Sequence, residues 1–401
     1  MTLLLAEKAR PAILRFMNAI SVAQGTKATI NFEHFPLWQG VRDRPGGQYF
    51  FPYKLEVDVH GYIRQKSMPE VEQQIVEAYS DPGYTFPTSR PGSSGWGNWL
   101  GKLYTDFIRE HVPNLQGKTM MEIGAGNLFI AEHFLEQDSV ARYLIVDPSV
   151  SGKSDDNRIQ IFPTYFDTSF DPGDTNIDVI ISFNCLEHVL DPLGFLQKAN
   201  ELMQSDDART VLIFPDTEAQ FRRGDFNVLC FEHLNYFSEE SAKYLITKAG
   251  LEIVHFRKEL DTLFIVLKRG STQAQEAWAD TELFETAAAK FSQGMVQVAN
   301  RINALQEAGK TVGLHGACNG LNTLFALNDI RTDNLLIFDG DENKEDMYMP
   351  SCGKAVLLAT DNQYKNVDIL IVSAMTFYDQ IRSYAMDHHG IPAGRIEPIC
   401  S

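Results

Sequence analysis

Apolar and polar positions follow three regimes along the chain. Up to about residue 100, proline, glycine and aromatic residues crowd together, as in Phe35-Pro-Leu-Trp-Gln-Gly40 and Ser89-Arg-Pro-Gly-Ser-Ser-Gly-Trp96. Such a stretch supplies no periodic core of its own and predicts an irregular lobe of short strands capping the next domain. From Trp99 the pattern sharpens, with Leu100, Leu103, Tyr104, Phe107 and Ile108 at helical spacing. Apolar runs at 119–123, 142–146, 159–162, 178–182 and 210–214 then read as strands, with a helix over 129–135. Two further runs, 251–256 and 262–268, read as a closing strand pair. Strands alternating with helices predict an α/β, doubly wound sheet.

The third regime opens with a polar helical stretch over 271–310, anchored by Phe284, Phe291 and Met295. A second, smaller Rossmann-like unit comes next. Strand 310–315 runs into Gly316-Ala-Cys-Asn-Gly320, helix 321–327 leads to a strand ending at Asp339, and another strand spans 367–372. The organisation read from the chain is a lobe over 1–98, a central domain over 99–270, a linker helix over 271–310 and a C-terminal unit over 311–401.

Composition narrows the function without changing the fold. A length of 401 residues exceeds one ordinary core and predicts two or three domains. A net charge of −18 argues against a nucleic-acid or membrane-surface binder, which polyanions would repel. Cys185, Cys230, Cys318, Cys352 and Cys400 are scattered without Cys-x-x-Cys spacing, so neither a disulfide framework nor a metal site is expected. Leu3-Leu-Leu5 is followed at once by charge, and no apolar stretch reaches the length of a membrane span, making the cytoplasm the expected compartment. The pattern leaves the oligomeric state and the role of the first thirty residues unread.

The chemistry concentrates after the first strand of the central domain. In Glu122-Ile-Gly-Ala-Gly-Asn127 the glycines let the backbone approach a ligand, and the next helix offers its N-terminal dipole. Phe129 stands where a dinucleotide fingerprint needs its third glycine, and Glu122 would repel a pyrophosphate. An acid there suits a cation. Asp147 ends the second strand, where a carboxylate can take both ribose hydroxyls. After the fourth strand comes Ser182-Phe-Asn-Cys-Leu-Glu-His-Val-Leu-Asp-Pro192, which resembles the post-strand motif of class I methyltransferases. The resemblance implies S-adenosylmethionine as cofactor, with S-adenosylhomocysteine as product. It implies binding by Glu122, Gly124, Ala125, Gly126, Asn127, Leu128, Asp147, Phe183 and Asn184. Trp96, with Trp99 and Tyr84, is placed to cap the pocket.

Phe231-Glu-His-Leu-Asn-Tyr-Phe-Ser238, with Gly316–Gly320, Phe338-Asp-Gly-Asp-Glu-Asn343 and Ile391-Pro-Ala, resembles the three-domain sugar C-methyltransferases over roughly residues 30–401. That family implies a nucleotide-linked 4-keto sugar, methylated at the neighbouring carbon after proton removal. Carried onto this chain, His233 becomes the base, Glu232 its orienting partner, and Tyr236 or Tyr84 a donor to the enolate. The family's N-terminal zinc cysteines are missing. His34 and His60 lie in the corresponding stretches, and packing by Phe32, Phe35, Trp38, Phe50 and Tyr53 is expected to replace the metal. Phe231 departs from the polar residue often found there, which leaves O- or N-methylation open. A non-catalytic cofactor-binding subunit and an oxidoreductase built on the C-terminal unit complete the alternatives. Glu187-His188 reads as structural, and Gly316–Gly320 either as a phosphate site or as a plain turn.

Overall fold

The computed structural model describes residues 20–21, 29–38, 40–46, 48–66, 69, 73, 96–150, 154–271 and 279–400. The first described elements are antiparallel strands β1 (Ile20–Ser21), β2 (Thr29–Pro36), β3 (Phe50–Val57) and β4 (Ile63–Gln65). This region is more regular than its composition implies. Ile30 and Phe32 point inward between exposed Asn31 and Glu33, and a bulge then resets the phase so that Phe35 is also buried. Tyr53, Leu55 and Val57 answer from β3.

The central unit starts with helix α1 (Trp96–His111). It continues through β5 (Thr119–Ile123), α2 (Phe129–Gln137), β6 (Arg142–Val146), β7 (Ile159–Phe162), β8 (Val179–Phe183), α3 (Pro192–Leu202) and β9 (Arg209–Pro215). After α4 (Thr217–Arg223), the two-residue strand β10 (Asn235–Tyr236), α5 (Glu239–Lys248), β11 (Leu251–Glu259) and β12 (Thr262–Arg269) close it. The seven-stranded sheet runs β11-β12-β9-β8-β5-β6-β7. It is parallel from β9 to β7, while β12 is antiparallel to both of its neighbours. Alternate residues feed separate cores: Met121, Leu144, Ile180 and Leu212 on one face, Met120, Tyr143, Val179 and Val211 on the other. Burial on both faces explains the near-continuous apolar strands.

Helix α6 (Thr281–Glu307) leads to β13 (Val312–His315), α7 (Asn319–Leu327), β14 (Leu335–Asp339), β15 (Val356–Leu358), β16 (Ile369–Val372), α8 (Tyr378–His389) and β17 (Ile396–Pro398). These strands form a parallel sheet ordered β15-β14-β13-β16-β17. One core spans Phe35 and Tyr53 of the first sheet, Phe231 and Tyr236, Phe284, Phe291 and Met295 of α6, and Val312 and Leu321 of the last unit. The N-terminal sheet is itself incomplete without the central unit, because β10 pairs with β4 at Asn235–Arg64 and Tyr236–Ile63. Among the described residues no helix is long and apolar enough to cross a membrane.

Candidate active site

The order of the central sheet reverses between β5 and β8, and the loops leaving these strands open a crevice there. Gly124 and Gly126 follow β5 with φ of 76° and 65°, a conformation that a side chain strains. A Cβ on Gly124 would lie 2.7 Å from Sγ of Cys185, whereas one on Gly126 would meet nothing within 4 Å. The backbone is therefore bare toward the crevice at Gly126. Asp147 faces this turn: its Oδ2 accepts from Gly126 N at 2.8 Å, and its Oδ1 from the backbone and hydroxyl of Ser149 at 2.7 and 2.6 Å.

Glu122 lies beneath, 3% exposed, accepting from the Tyr143 hydroxyl at 2.8 Å. Burial pushes its carboxyl up to about 8, against the pull of that hydrogen bond. A cationic ligand would draw the value down, so the donor set fits the sulfonium and ammonium of S-adenosylmethionine. Asn127 Oδ1 accepts from Phe129 N at 2.9 Å in the turn that leads into α2, while Ala125 and Leu128 pack against the core. After β8, Asn184 adopts a left-handed φ of 46°, and its Nδ2 donates to the Tyr104 hydroxyl at 3.1 Å. The Phe183 ring sits 5.0 Å from that of Tyr104. Trp96 opens α1, and Tyr84 lies outside the described residues.

Beside Asn184 runs a cleft of about 210 Å³ between α1, the β11–β12 turn and the C-terminal unit. Trp99, Tyr104, Pro215, Asp261 and Thr376 are among its walls. Thr376 donates to Asp261 Oδ2 at 2.7 Å, joining the two units across it. Tyr104, read from the sequence only as one position of an apolar helix, presents its hydroxyl here.

The second cluster comes from two loops clasped together. Leu234 N donates to Glu187 O at 2.8 Å, and Asn235 Nδ2 reaches Leu186 O at 3.2 Å and Val189 O at 2.7 Å. Gln65 of β4, with its amide oriented to satisfy both groups, donates to the carbonyls of Cys230 and His233 at 3.1 Å each. The clasp brings one ligand atom each of Glu187, His188 and His233 within 4.8 Å of one another. Glu187 is 2% exposed, its Oε2 has no hydrogen-bond partner, and burial lifts its carboxyl to about 8. His233 is held neutral, down to about 3, by burial and then by the nearby His188.

Three assignments change here. His233 Nδ1 is buried without a partner, so Glu232 does not orient the ring through it. Glu187 also comes to the imidazole, and the Glu232 backbone carbonyl accepts from His188 Nδ1 at 2.6 Å. Tyr236 is fully buried, its hydroxyl engaged with Tyr53 at 2.5 Å and with the Cys230 carbonyl at 3.0 Å; it does not face the cleft.

Glu187 makes stability depend on pH in a defined direction. Between about 4.5 and 8 the unfolded chain releases this proton while the folded chain keeps it, so ionisation favours unfolding. Glu187→Gln removes that contribution. Relative to wild type, the variant is expected to gain roughly 2–5 kcal/mol between pH 5 and 8.5 in urea denaturation. Parallel pH profiles for the two proteins would mean that Glu187 ionises normally in the folded chain.

In the last unit Asp339 repeats the geometry of Asp147, accepting from Ala317 N at 2.8 Å, and adds an ion pair with Lys344 at 2.9 Å. The start of α7 is closed by the central unit. Asn227 Oδ1 accepts from Gly320 N at 2.8 Å, and a Cβ on Gly320 would lie 2.8 Å from Asn227 Cα. Gly316–Gly320 is thus a packing turn, without room for phosphates at Gly320. In the N-terminal sheet, Phe35 stacks on Tyr53 at 4.5 Å and Phe231 meets Tyr53 edge-on at 5.1 Å. Phe32, Phe35 and Tyr53 are buried as expected, but Phe50 is 43% exposed. His34 is exposed, and His60 Nδ1 lies 3.0 Å from Lys248 Nζ.

Residues 97–256 match the family model described as a methyltransferase domain. No curated protein gives a match to the sequence. Among solved structures the chain is similar to an S-adenosylmethionine-dependent methyltransferase from Clostridium acetobutylicum, at 12% identity over 42% of this chain and 92% of that one, TM-score 0.34. It is similar to another from Mesorhizobium loti at 11% identity, over 40% and 95%, TM-score 0.33. Human N-acetylserotonin methyltransferase in complex with S-adenosylmethionine matches at 15% identity, over 43% and 53%, TM-score 0.35.

Proposed function

We propose that this S-adenosylmethionine-dependent methyltransferase, a class I fold in its central sheet, methylates a carbon beside the keto group of a nucleotide-linked sugar. In this reading the proton leaves at the Glu187–His188–His233 cluster. The observation that carries it is the buried Glu187 carboxyl with an unpartnered Oε2 and an affinity for protons raised to about 8. An amine needs no such base, and a hydroxyl can pass its proton along a hydrogen bond to many acceptors. A carbon-bound proton leaves only to a strong, desolvated acceptor held in place.

When bound, the cofactor supplies a methyl group on a positively charged sulfur. Glu122 and Asp147 then hold its cationic and ribose ends, and the bare backbone at Gly126 admits it. Glu187 Oε2 takes the proton from the acceptor carbon, whose electron pair moves into the enolate. Tyr104 accepts from Asn184 and so keeps its own O–H for the enolate oxygen. The enolate carbon would be the nucleophile for the methyl group that the bound cofactor would supply, with S-adenosylhomocysteine as the leaving product.

The test is incubation with a nucleotide-linked 4-keto sugar in heavy water, without methyl donor. Deuterium is expected at the carbon next to the keto group. Methyl transfer from S-adenosylmethionine with no such exchange would move the assignment to O- or N-methylation.

A further inference from the structure

We infer that Glu187, His188 and His233 form a binding site for one first-row divalent cation of the zinc type. The inference deepens the proton-transfer reading and rests on it for its catalytic role, although the site itself stands on geometry. Among the described residues these three side chains are the group whose potential ligand atoms converge, within 4.8 Å of one another. Glu187 Oε1 and His188 Nε2 are already 3.6 Å apart. Metal–nitrogen bonds of about 2.1 Å allow ligand pairs up to about 4 Å apart, so a small side-chain rotation closes the triangle.

Two further observations point to a ligand here. Glu187 Oε2 and His233 Nδ1 are buried polar atoms without partners, an arrangement that costs stability unless something completes it. The His188 ring is also fixed in the manner of a metal ligand. Its Nδ1–H donates to the Glu232 carbonyl at 2.6 Å, which leaves Nε2 lone-paired and facing Glu187. Two imidazoles and one carboxylate, with no thiolate, select a borderline cation over calcium or magnesium and leave coordination positions open.

Two of the chain's Glu-His dipeptides, Glu187-His188 and Glu232-His233, are therefore one device. The first gives a carboxylate and an imidazole. The second gives an imidazole through its side chain and orients the first through its backbone. With the cation in place, proton removal stays at this cluster while its agent changes. Glu187, His188 and His233 would hold the cation, which would supply Lewis acidity for the keto oxygen and acidify a bound water beside the carbon-bound proton.

The test uses the full chain, treated with chelator and titrated with Zn²⁺ and, for its visible spectrum, with Co²⁺. One equivalent is expected to bind, with a Co²⁺ spectrum of nitrogen and oxygen ligation. Glu187→Gln, His188→Ala and His233→Ala are each expected to weaken binding at least about 100-fold while keeping the thermal shift given by S-adenosylhomocysteine. Deuterium exchange into the keto sugar should vanish on chelation and return with metal. No uptake by a wild-type chain that still binds S-adenosylhomocysteine, or uptake indifferent to all three substitutions, overturns the site. Exchange that survives complete chelation overturns the cation's catalytic role and leaves Glu187 itself as the base. Stoichiometric, substitution-sensitive binding without any exchange supports the site and overturns the carbon-methylation reading.

Discussion

Replacing Glu187 by glutamine is expected to lower methyl transfer by about 10²–10⁴-fold, the range for losing a positioned proton acceptor. The substitution keeps shape and hydrogen-bonding capacity at a residue that is 2% exposed, so the loss falls on chemistry. Glu187 also shares no hydrogen bond with the two acids proposed to hold the cofactor: Glu122 pairs with Tyr143, and Asp147 with Gly126 and Ser149. The fall should therefore appear in kcat, with S-adenosylhomocysteine affinity within about twofold of wild type. Single-turnover transfer with the keto sugar, alongside calorimetric titration of S-adenosylhomocysteine, makes the distinction. A variant that transfers at more than a tenth of the wild-type rate removes Glu187 from proton handling. His233→Ala alone is expected to lose activity as well, because the two side chains serve one cluster.

The second large effect is on stability. Phe231→Ala is expected to destabilise the protein by about 3–5 kcal/mol, the range for deleting a buried aromatic ring. Phe231 is 2% exposed and sits edge-on to Tyr53, Phe35 and Phe51 at 5.1, 5.7 and 6.1 Å. With Tyr236, Val228 and Leu229 it carries the central unit into the core of the N-terminal sheet. Two residues on stands His233, whose carbonyl is held from β4 by Gln65. Loosening this contact should therefore reduce activity in the fraction that remains folded. Phe231→Leu, which keeps much of the volume, should recover at least half of the stability in urea denaturation. A loss below about 1 kcal/mol for the alanine variant would show that the ring is not what joins the two units.

The glycine turn and the acid that faces it were legible in the sequence because their parts are local. A strand, two glycines and an acid at the end of the next strand each have a meaning that short spacing preserves, and Asp147 duly meets Gly126. The strands of both Rossmann-like sheets were legible for the same reason, as apolar runs buried on both faces. Glu187 was not. Its letters sit in a turn after β8, and only the approach of a loop some 45 residues later brings buried Glu187 and half-buried His188 together with His233. Tyr236 misled in the opposite sense: its motif position is that of a donor, yet Tyr53 of a distant strand takes its hydroxyl. In the N-terminal sheet the alternation of Ile30, Asn31, Phe32 and Glu33 was there to read. The bulge before Phe35 broke its period and hid the strand. Gly320 offered a phosphate-binding reading that only Asn227, almost a hundred positions earlier, excludes.

The pairing of β10 with β4 carries a consequence for how the molecule is made. Asn235 completes a sheet begun before residue 66, so the first strands leave the ribosome long before their last neighbour exists. The same early strands pack against α6 and the final unit, which are synthesised later still. The N-terminal segment must wait with its aromatic face uncovered while the central sheet forms from its own nearer contacts. The loops of Glu187 and His233, held by Gln65 of β4, take their final positions only when these strands dock, which places assembly of the proposed site late in folding.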